Sequence, residues 1–399
     1  MANGSPTSDP YSSPSALSSV VMLWPNRHIP RDQLRAQVKQ LEESGDVDYV
    51  FLVDQMLGWW PKRFWDPKYI PLAGVYPDWD SYPDVFATAG FVSAHAPSLG
   101  IMLSPDAVRV GPAEMYRSML TISDMTEGRA VLMLGAGEVK QCQPFGWKRS
   151  QGVKRFEDHM ALYHELWNAD GPFDWEGNFT TLDHAWLGSA RRYKPQIWGM
   201  GGGPRLIEAT AKYADGLTAI TPGVWPSAER MADIVTTVRD KVRGHGRDPD
   251  RFGFCPIQMS LCHEDPAVLD RALDNPAIRW VAAIWGRFTM TEWREEGYEP
   301  PFPDDWHYAT KLLPHHMSDA FVDEVLSKVT REMVEKALLV GTPKEVAAMM
   351  QGYLDAGGNR ILPVNWAPLV LTPDQIEGAQ EANLQLIRTL REANTVAPR

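Results

Sequence analysis

The stretch Gly128–Trp167, GRAVLMLGAGEVKQCQPFGWKRSQGVKRFEDHMALYHELW, decides the fold class. Ala130 to Leu134 is a short, wholly apolar run, the pattern of a strand buried on both faces. Gly135-Ala136-Gly137-Glu138 follows at once, two glycines that let backbone approach a ligand and a carboxylate at the end. A helix is predicted from about Val153, with Phe156, Met160, Tyr163, Leu166 and Trp167 at helical spacing. The order is strand, glycine turn with an acid, irregular loop, helix. A Walker P-loop is excluded, because Lys and Ser/Thr are missing at the required offsets. The dinucleotide GxGxxG is excluded too, since only Gly135 and Gly137 fit and the helix starts far downstream.

The same alternation extends outward. Apolar strands are predicted at Ser19–Leu23, Tyr49–Val53, Leu99–Ser104, Ala130–Leu134, Gln196–Gly199, Gly216–Ile220, Phe252–Leu261 and Arg360–Asn365. Helices are expected at 31–44, 82–95, 112–125, 204–213, 227–243, 266–285, 331–337, 343–356 and 373–393, and a hairpin within PFDWEGNFTTLDHAWL. Eight buried strands alternating with helices predict an α/β fold, a (β/α)8 TIM barrel. One domain over 18–399 follows a disordered tail, 1–17, with insertions at 55–81 and 286–325. The first insertion is dense in Trp, Tyr and Pro and reads as a lid. Asp54, Met102, Leu103, Ser104, Gly137, Glu138, Gly201, Gly202, Gly203 and Thr221 fall at C-terminal strand ends, where such barrels carry their sites.

The chain has 399 residues, 23% of them charged and 44% hydrophobic, with a net charge of −12. That balance argues against a nucleic-acid binder, which would show a basic face. No apolar run is long enough to span a bilayer, and the first residues lack the charged and apolar regions of a signal peptide. Cys142, Cys255 and Cys262 have no metal-like spacing, so a reduced, cytoplasmic protein is expected. His307, His315 and His316 lack the spacing and carboxylate partners of a metal site. Most of the 16 tryptophans are expected in the core, but several crowd into the predicted loops, which suits a large aromatic ligand or a bulky, lipid-like substrate.

The chain resembles the luciferase-like flavin and deazaflavin oxidoreductases, and within them the coenzyme F420-dependent branch of the phthiodiolone dimycocerosate ketoreductase and glucose-6-phosphate dehydrogenase types. The residues that carry the resemblance are Asp54, Leu99-Gly100, GRAVLMLGAGE with its PFGW loop and RFED, GGGPRLIEATAKYADGLTAIT from Gly201, and LLVGTPKEVAAMMQGYLDAGGNRILPVN from Leu338. The resemblance implies hydride transfer between the deazaflavin C5 and a carbonyl or alcohol carbon, in a homodimer. It assigns Asp54 as the acid opening an Asp-His pair and Trp59 to the substrate side of the ring. It assigns Met102-Leu103 as a non-proline cis peptide against the ring, Glu138 as an acid beside it, and Gly202 and Gly203 as a nest for the tail phosphate. One position departs: Gln55 stands where His is expected. Gln orients an oxygen but does not transfer a proton near neutral pH, which leaves Asp54 or Glu138 as proton donor. FMN is the alternative cofactor, and a non-catalytic F420-binding protein the alternative role.

Overall fold

A computed structural model describes residues 14–395. Eleven strands form: β1 (Ser18–Leu23), β2 (Tyr49–Leu52), β3 (Gly100–Leu103), β4 (Ala130–Gly135), β5 (Phe173–Glu176), β6 (Thr181–Ala185), β7 (Gln196–Met200), β8 (Gly216–Thr221), β9 (Gly253–Cys262), β10 (Leu339–Gly341) and β11 (Arg360–Asn365). Eight of them pair in parallel in the order β1-β2-β3-β4-β7-β8-β9-β11, and β11 returns to β1. The sheet is therefore a closed barrel of eight strands. β5 and β6 make the antiparallel hairpin between β4 and β7. The three-residue β10 extends the ladder of β9, in the gap between the helices expected at 331–337 and 343–356, where the sequence predicts no strand.

Alternation along each strand builds two apolar layers. Tyr49, Phe51, Met102, Val131, Met133 and Trp198 fill the barrel, while Val50, Leu52, Ile101, Leu103, Leu132 and Leu134 meet the surrounding helices. Leu103 therefore belongs to the outer layer. Met102 and Leu103 sit in regular register with Phe51 and Leu52. The cis bond implied for them by resemblance is corrected: among the described residues the cis peptide is Thr221–Pro222. A pair whose side chains alternate between the two layers within a continuous ladder is ordinary extended backbone.

Several boundaries differ for identifiable reasons. The helix expected from 82 starts at Val85, because Asp84 accepts from the Ala87 N–H as its N-cap. The helix expected over 266–285 is two helices, Pro266–Asp274 and Pro276–Trp285. Asn275 caps the second, and Pro276 opens it. The stretch 286–325 is not an open loop. It carries helices Met290–Glu295, Tyr308–Lys311 and Asp319–Lys328, and it buries Trp293, Phe302 and Trp306.

Residues 1–13 of the expected tail lie outside the described residues. Residues 14–17 are held at the bottom of the barrel. Asn359 Nδ2 donates to the Pro14 carbonyl and Arg360 Nη1 to the Ala16 carbonyl. Arg360 is fully buried, with its guanidinium 4.8 Å from the Trp198 ring centroid and 5.8 Å from that of Tyr49. It closes the end opposite the functional rim.

The helix after β7, Pro204–Tyr213, packs directly on its strand at Gly199. A Cβ there would stand 1.9 Å from Thr210 Oγ1. Gly199→Ala is expected to cost about 1–3 kcal/mol, read as a lower urea midpoint with unchanged slope. Adding Thr210→Ala should recover part of the loss, and an unchanged midpoint in the single variant would refute this packing.

Candidate functional site

The parallel barrel brings the C-terminal ends of β2, β3, β4, β7 and β8 to one rim, and with them Asp54, Ser104, Glu138, Gly201–Gly203 and Thr221. Their environments differ. Asp54 Oδ2 accepts from Arg109 Nη2 at 2.5 Å, and Arg109 Nε donates to Asp106 Oδ2 at 2.5 Å. Arg109 thus bridges two acids, and both hold it firmly cationic. Burial pushes the Asp54 pKa up, and Arg109 opposes that rise. Thr221 is fully buried and donates to the Ile257 carbonyl at 3.2 Å, a bond between strands.

The centre of the rim is organised by a residue that sequence reasoning missed. The four-residue helix Val139–Cys142 follows Glu138 and carries Lys140, fully buried. Lys140 Nζ donates to Gln55 Oε1 at 2.5 Å and to the Leu57 carbonyl at 2.7 Å, and it pairs with Glu138 Oε2 at 2.9 Å. It also lies 4.5 Å from the Trp59 ring centroid. Burial pulls its pKa below the ordinary lysine value, with Glu138 opposing. The next residue, Gln141, donates to Gln55 Oε1 and accepts from the Met56 N–H at 2.6 Å. Lys and the Gln141 amide group both donate to Gln55, so Gln55 must present its oxygen inward. Its own NH2 then stands on the side away from the Lys140 and Gln141 donors.

The tryptophan-rich stretch 55–81 is a packed cap. Trp59, Trp60, Phe64 and Ile70 are buried in the same cluster as the barrel interior. Trp59 lies 4.9 Å from Trp285 and 6.0 Å from Trp60, and Trp60 lies 4.8 Å from Trp79 and 5.4 Å from Trp366, between ring centroids. Much of the aromatic surface expected to receive a bulky ligand is thus spent against itself. Two surface clefts of about 320 and 500 Å³ lie away from this cap, one over helices 152–168 and 204–213 and one between residues 25–34 and 83–91.

Polar atoms without partners mark what this mouth is built to take. Trp59 Nε1, Trp285 Nε1, Tyr82 Oη, His307 Nε2 and Arg149 Nε are buried with no hydrogen-bond partner. Each can donate, and an unmet buried donor is costly. Glu138 is within electrostatic reach of Tyr82, Arg149, His307 and Tyr308, so these groups converge on it. The glycine turn after β7 adds backbone. Gly201 has φ 138°, a Cβ on Gly202 would strike Val224 at 2.6 Å, and at Gly203 it would meet nothing within 4 Å. The obstructed position is Gly202. At Gly203 the space is open, as a nest for an anion requires, ahead of the ten-residue helix Pro204–Tyr213. Gly137 has φ 85° and lies against Val108 and Arg149. A flat ligand rich in carbonyl acceptors, with an anionic tail, fits these donors and this turn.

The sequence model of the luciferase-like monooxygenase family matches residues 20–360. The chain belongs to that family. It is 27% identical over 356 residues to the phthiodiolone/phenolphthiodiolone dimycocerosates ketoreductase of Mycobacterium kansasii, covering 86% of this chain and 93% of the relative. It is 24% identical to the F420-dependent glucose-6-phosphate dehydrogenase of Kineococcus radiotolerans, covering 80% and 82%. Among solved structures, this luciferase-like barrel superposes on an F420-dependent secondary alcohol dehydrogenase in complex with an F420-acetone adduct. That match has a TM-score of 0.65 at 15% identity, over 88% of this chain and 93% of the other. A riboflavin lyase with modified FMN and riboflavin gives 0.68 at 17%, over 96% and 93%. At such identities the structural likeness speaks for the fold.

Signals for the missed residues were faint. Lys140 lies within GAGEVKQC, but burial of its ammonium follows only from the packing of the 55–60 segment. Asp106 and Arg109 follow the third strand at i, i+3 spacing, which suits an ion pair but does not point to Asp54.

Lys140→Met should leave Gln55 Oε1 with Gln141 as its donor, remove the nearer donor of the Leu57 carbonyl and strip Glu138 of its cation, at a cost of about 2–4 kcal/mol. A double-mutant cycle with Glu138→Gln, read by urea unfolding, should return a coupling of about 1 kcal/mol or more. Strict additivity would count against the pair.

Proposed function

We propose that this luciferase-like protein is a coenzyme F420-dependent oxidoreductase that transfers a hydride between a deazaflavin and a carbonyl or alcohol carbon. The observation that carries the reading is the set of unpartnered buried donors around Glu138, which suits the carbonyl edge of a flat ring. The relation to a ketoreductase and to an F420-dependent dehydrogenase, each along most of its length, favours the deazaflavin over other rings.

When bound, the deazaflavin supplies or accepts the hydride at C5. The chain supplies the remainder. Gly201–Gly203 and the start of helix Pro204–Tyr213 hold the anionic tail. Trp59 and Trp285 offer indole N–H groups to acceptors in the mouth. Gln55 offers its NH2 outward, because Lys140 fixes its oxygen inward. The packed cap excludes water, which strengthens each of these contacts. A carbonyl that gains a hydride needs a proton on its oxygen, and Asp54 and Glu138 are the proposed carriers. Asp54 is paired with Arg109 and Glu138 with Lys140, and burial raises the Asp54 pKa against the pull of Arg109.

FMN is the second reading, favoured by the likeness to the FMN-containing lyase. Titrating the chain with each cofactor, followed by tryptophan quenching and the cofactor's visible band, separates the two. Tighter binding of FMN, or of neither, would refute the deazaflavin reading.

If a carboxyl is the proton carrier, its amide variant should lose about 10²–10⁴-fold in single-turnover hydride transfer and lose one limb of the pH profile. Asp54→Asn and Glu138→Gln are to be compared with cofactor affinity measured alongside. Wild-type rates and profiles in both variants would remove both carboxyls from the role.

A further inference from the structure

His307 precedes the short helix Tyr308–Lys311, and its Nδ1 accepts from the Ala309 N–H at 3.2 Å. A neutral imidazole carries one ring proton, so accepting at Nδ1 places that proton on Nε2. Nε2 is buried and has no partner. The ring cannot turn away easily: it stacks on Tyr308 at 4.7 Å and meets Phe288 edge-on at 5.2 Å, between centroids.

Its location spans the mouth. Phe288 lies 3.4 Å from where a Cβ on Gly202 would stand, so one side of His307 adjoins the glycine turn. On the other side Tyr308 packs 6.2 Å from Trp285, which packs against Trp59. The charged and titratable groups that face His307 are Arg149 from the loop after β4, Glu138 at the end of β4, and Tyr308 beside it. Burial and the Arg149 charge push its pKa down to about 4, with Glu138 opposing.

We propose that His307 is a fixed hydrogen-bond donor in the mouth, its Nε2–H holding a carbonyl oxygen of the bound substrate or of the cofactor ring. The proposal rests on the oxidoreductase reading above. It gives the site an imidazole from the 286–325 stretch, across the rim from Gln55, where the resemblance led us to expect one. The role is polarisation. A neutral ring N–H is too weak an acid to give up its proton near pH 7, which keeps this role apart from the proton transfer proposed for Asp54 or Glu138.

The ligand-free protein tests the state of the ring. Nitrogen NMR of 15N-histidine-labelled chain, assigned with His307→Gln, should show the neutral Nε2–H tautomer from pH 8 down to 5. A protonated ring at pH 6, or the Nδ1–H tautomer, would overturn the proposal. Stability gives a second arm. The folded pKa lies below the unfolded value of about 6.5, so the unfolded chain takes up the proton first. Wild type should lose stability as pH falls from about 6.5 towards 4, and His307→Gln should lack that component.

Turnover tests the donor. His307→Gln reaches a nitrogen to about the Nε2 position, while His307→Asn keeps a cap for Ala309 without the reach, and His307→Leu removes both. Gln should stay within about threefold of wild type, and Asn and Leu should lose about 10²-fold, the usual cost of one such donor. Loss of turnover at unchanged cofactor affinity assigns the substrate oxygen, and loss of cofactor affinity assigns the ring carbonyl. Equal losses in Gln and Leu, or none in any folded variant, would sink the donor role. If wild type binds neither F420 nor FMN, the oxidoreductase reading fails. The inference about His307 then stands or falls on the NMR and stability arms.

Discussion

Lys140 is the constraint on which the rim depends. An ammonium has three protons to donate and no acceptor, and burying it unpaired would cost several kcal/mol. Gln55 Oε1 and the Leu57 carbonyl accept from it, Glu138 Oε2 stands 2.9 Å away as its ion-pair partner, and the Trp59 ring covers the remaining side. One side chain therefore ties the segment after β2 to the segment after β4. It also fixes three things that the sequence leaves free: which way the Gln55 amide faces, where Glu138 points, and how deep Trp59 sits.

The arrangement of charge follows the same logic. Arg109 holds Asp54 and Asp106, Lys140 holds Glu138, and each carboxylate at the rim has a cation within hydrogen-bond distance. Arg149 is the exception. It lies against Gly137 and Gly152 with its Nε buried and unpartnered. An Arg in such a position favours an acceptor-rich or anionic ligand beside it. Unmet donors such as Arg149 Nε are what a protein keeps where a ligand, and not its own chain, completes the hydrogen bonding.

The barrel was legible because it rests on long-wavelength pattern. Arg360–Asn365 was read at the bounds it has, and Ala130–Leu134 within one residue, because buried parallel strands are unbroken apolar runs. Asn275-Pro276 carries a start signal in the sequence, but apolar spacing continues on both sides of it and reads as one helix over 266–285. β10 is three residues long, below what periodicity resolves. The site was legible only where it lies at strand ends: Asp54, Glu138 and the Gly201–Gly203 turn could be placed by topology. Lys140 and His307 could not. A lysine in a polar loop is normally solvated, and its burial here comes from tryptophans some eighty residues earlier. His307 sits in a stretch with no period at all, and its tautomer follows from one backbone N–H, that of Ala309.

The aromatic cap explains why so few polar groups suffice. Trp24, Trp59, Trp60, Trp79, Trp285 and Trp366 pack within 4.8–6.2 Å of one another, ring to ring, over one side of the mouth. They leave water little access to Lys140, Gln55 and the indole N–H groups. In such surroundings each hydrogen bond is stronger than in water, and each unmet one is more costly. The cap thus raises the stakes of the same donors that it shelters, so its packing and the selectivity of the mouth are one property. A tryptophan replaced by a smaller apolar residue at Trp59 or Trp285 would open a cavity and admit water to Lys140. The loss would appear at the rim as weakened polarity as much as in the core as lost packing.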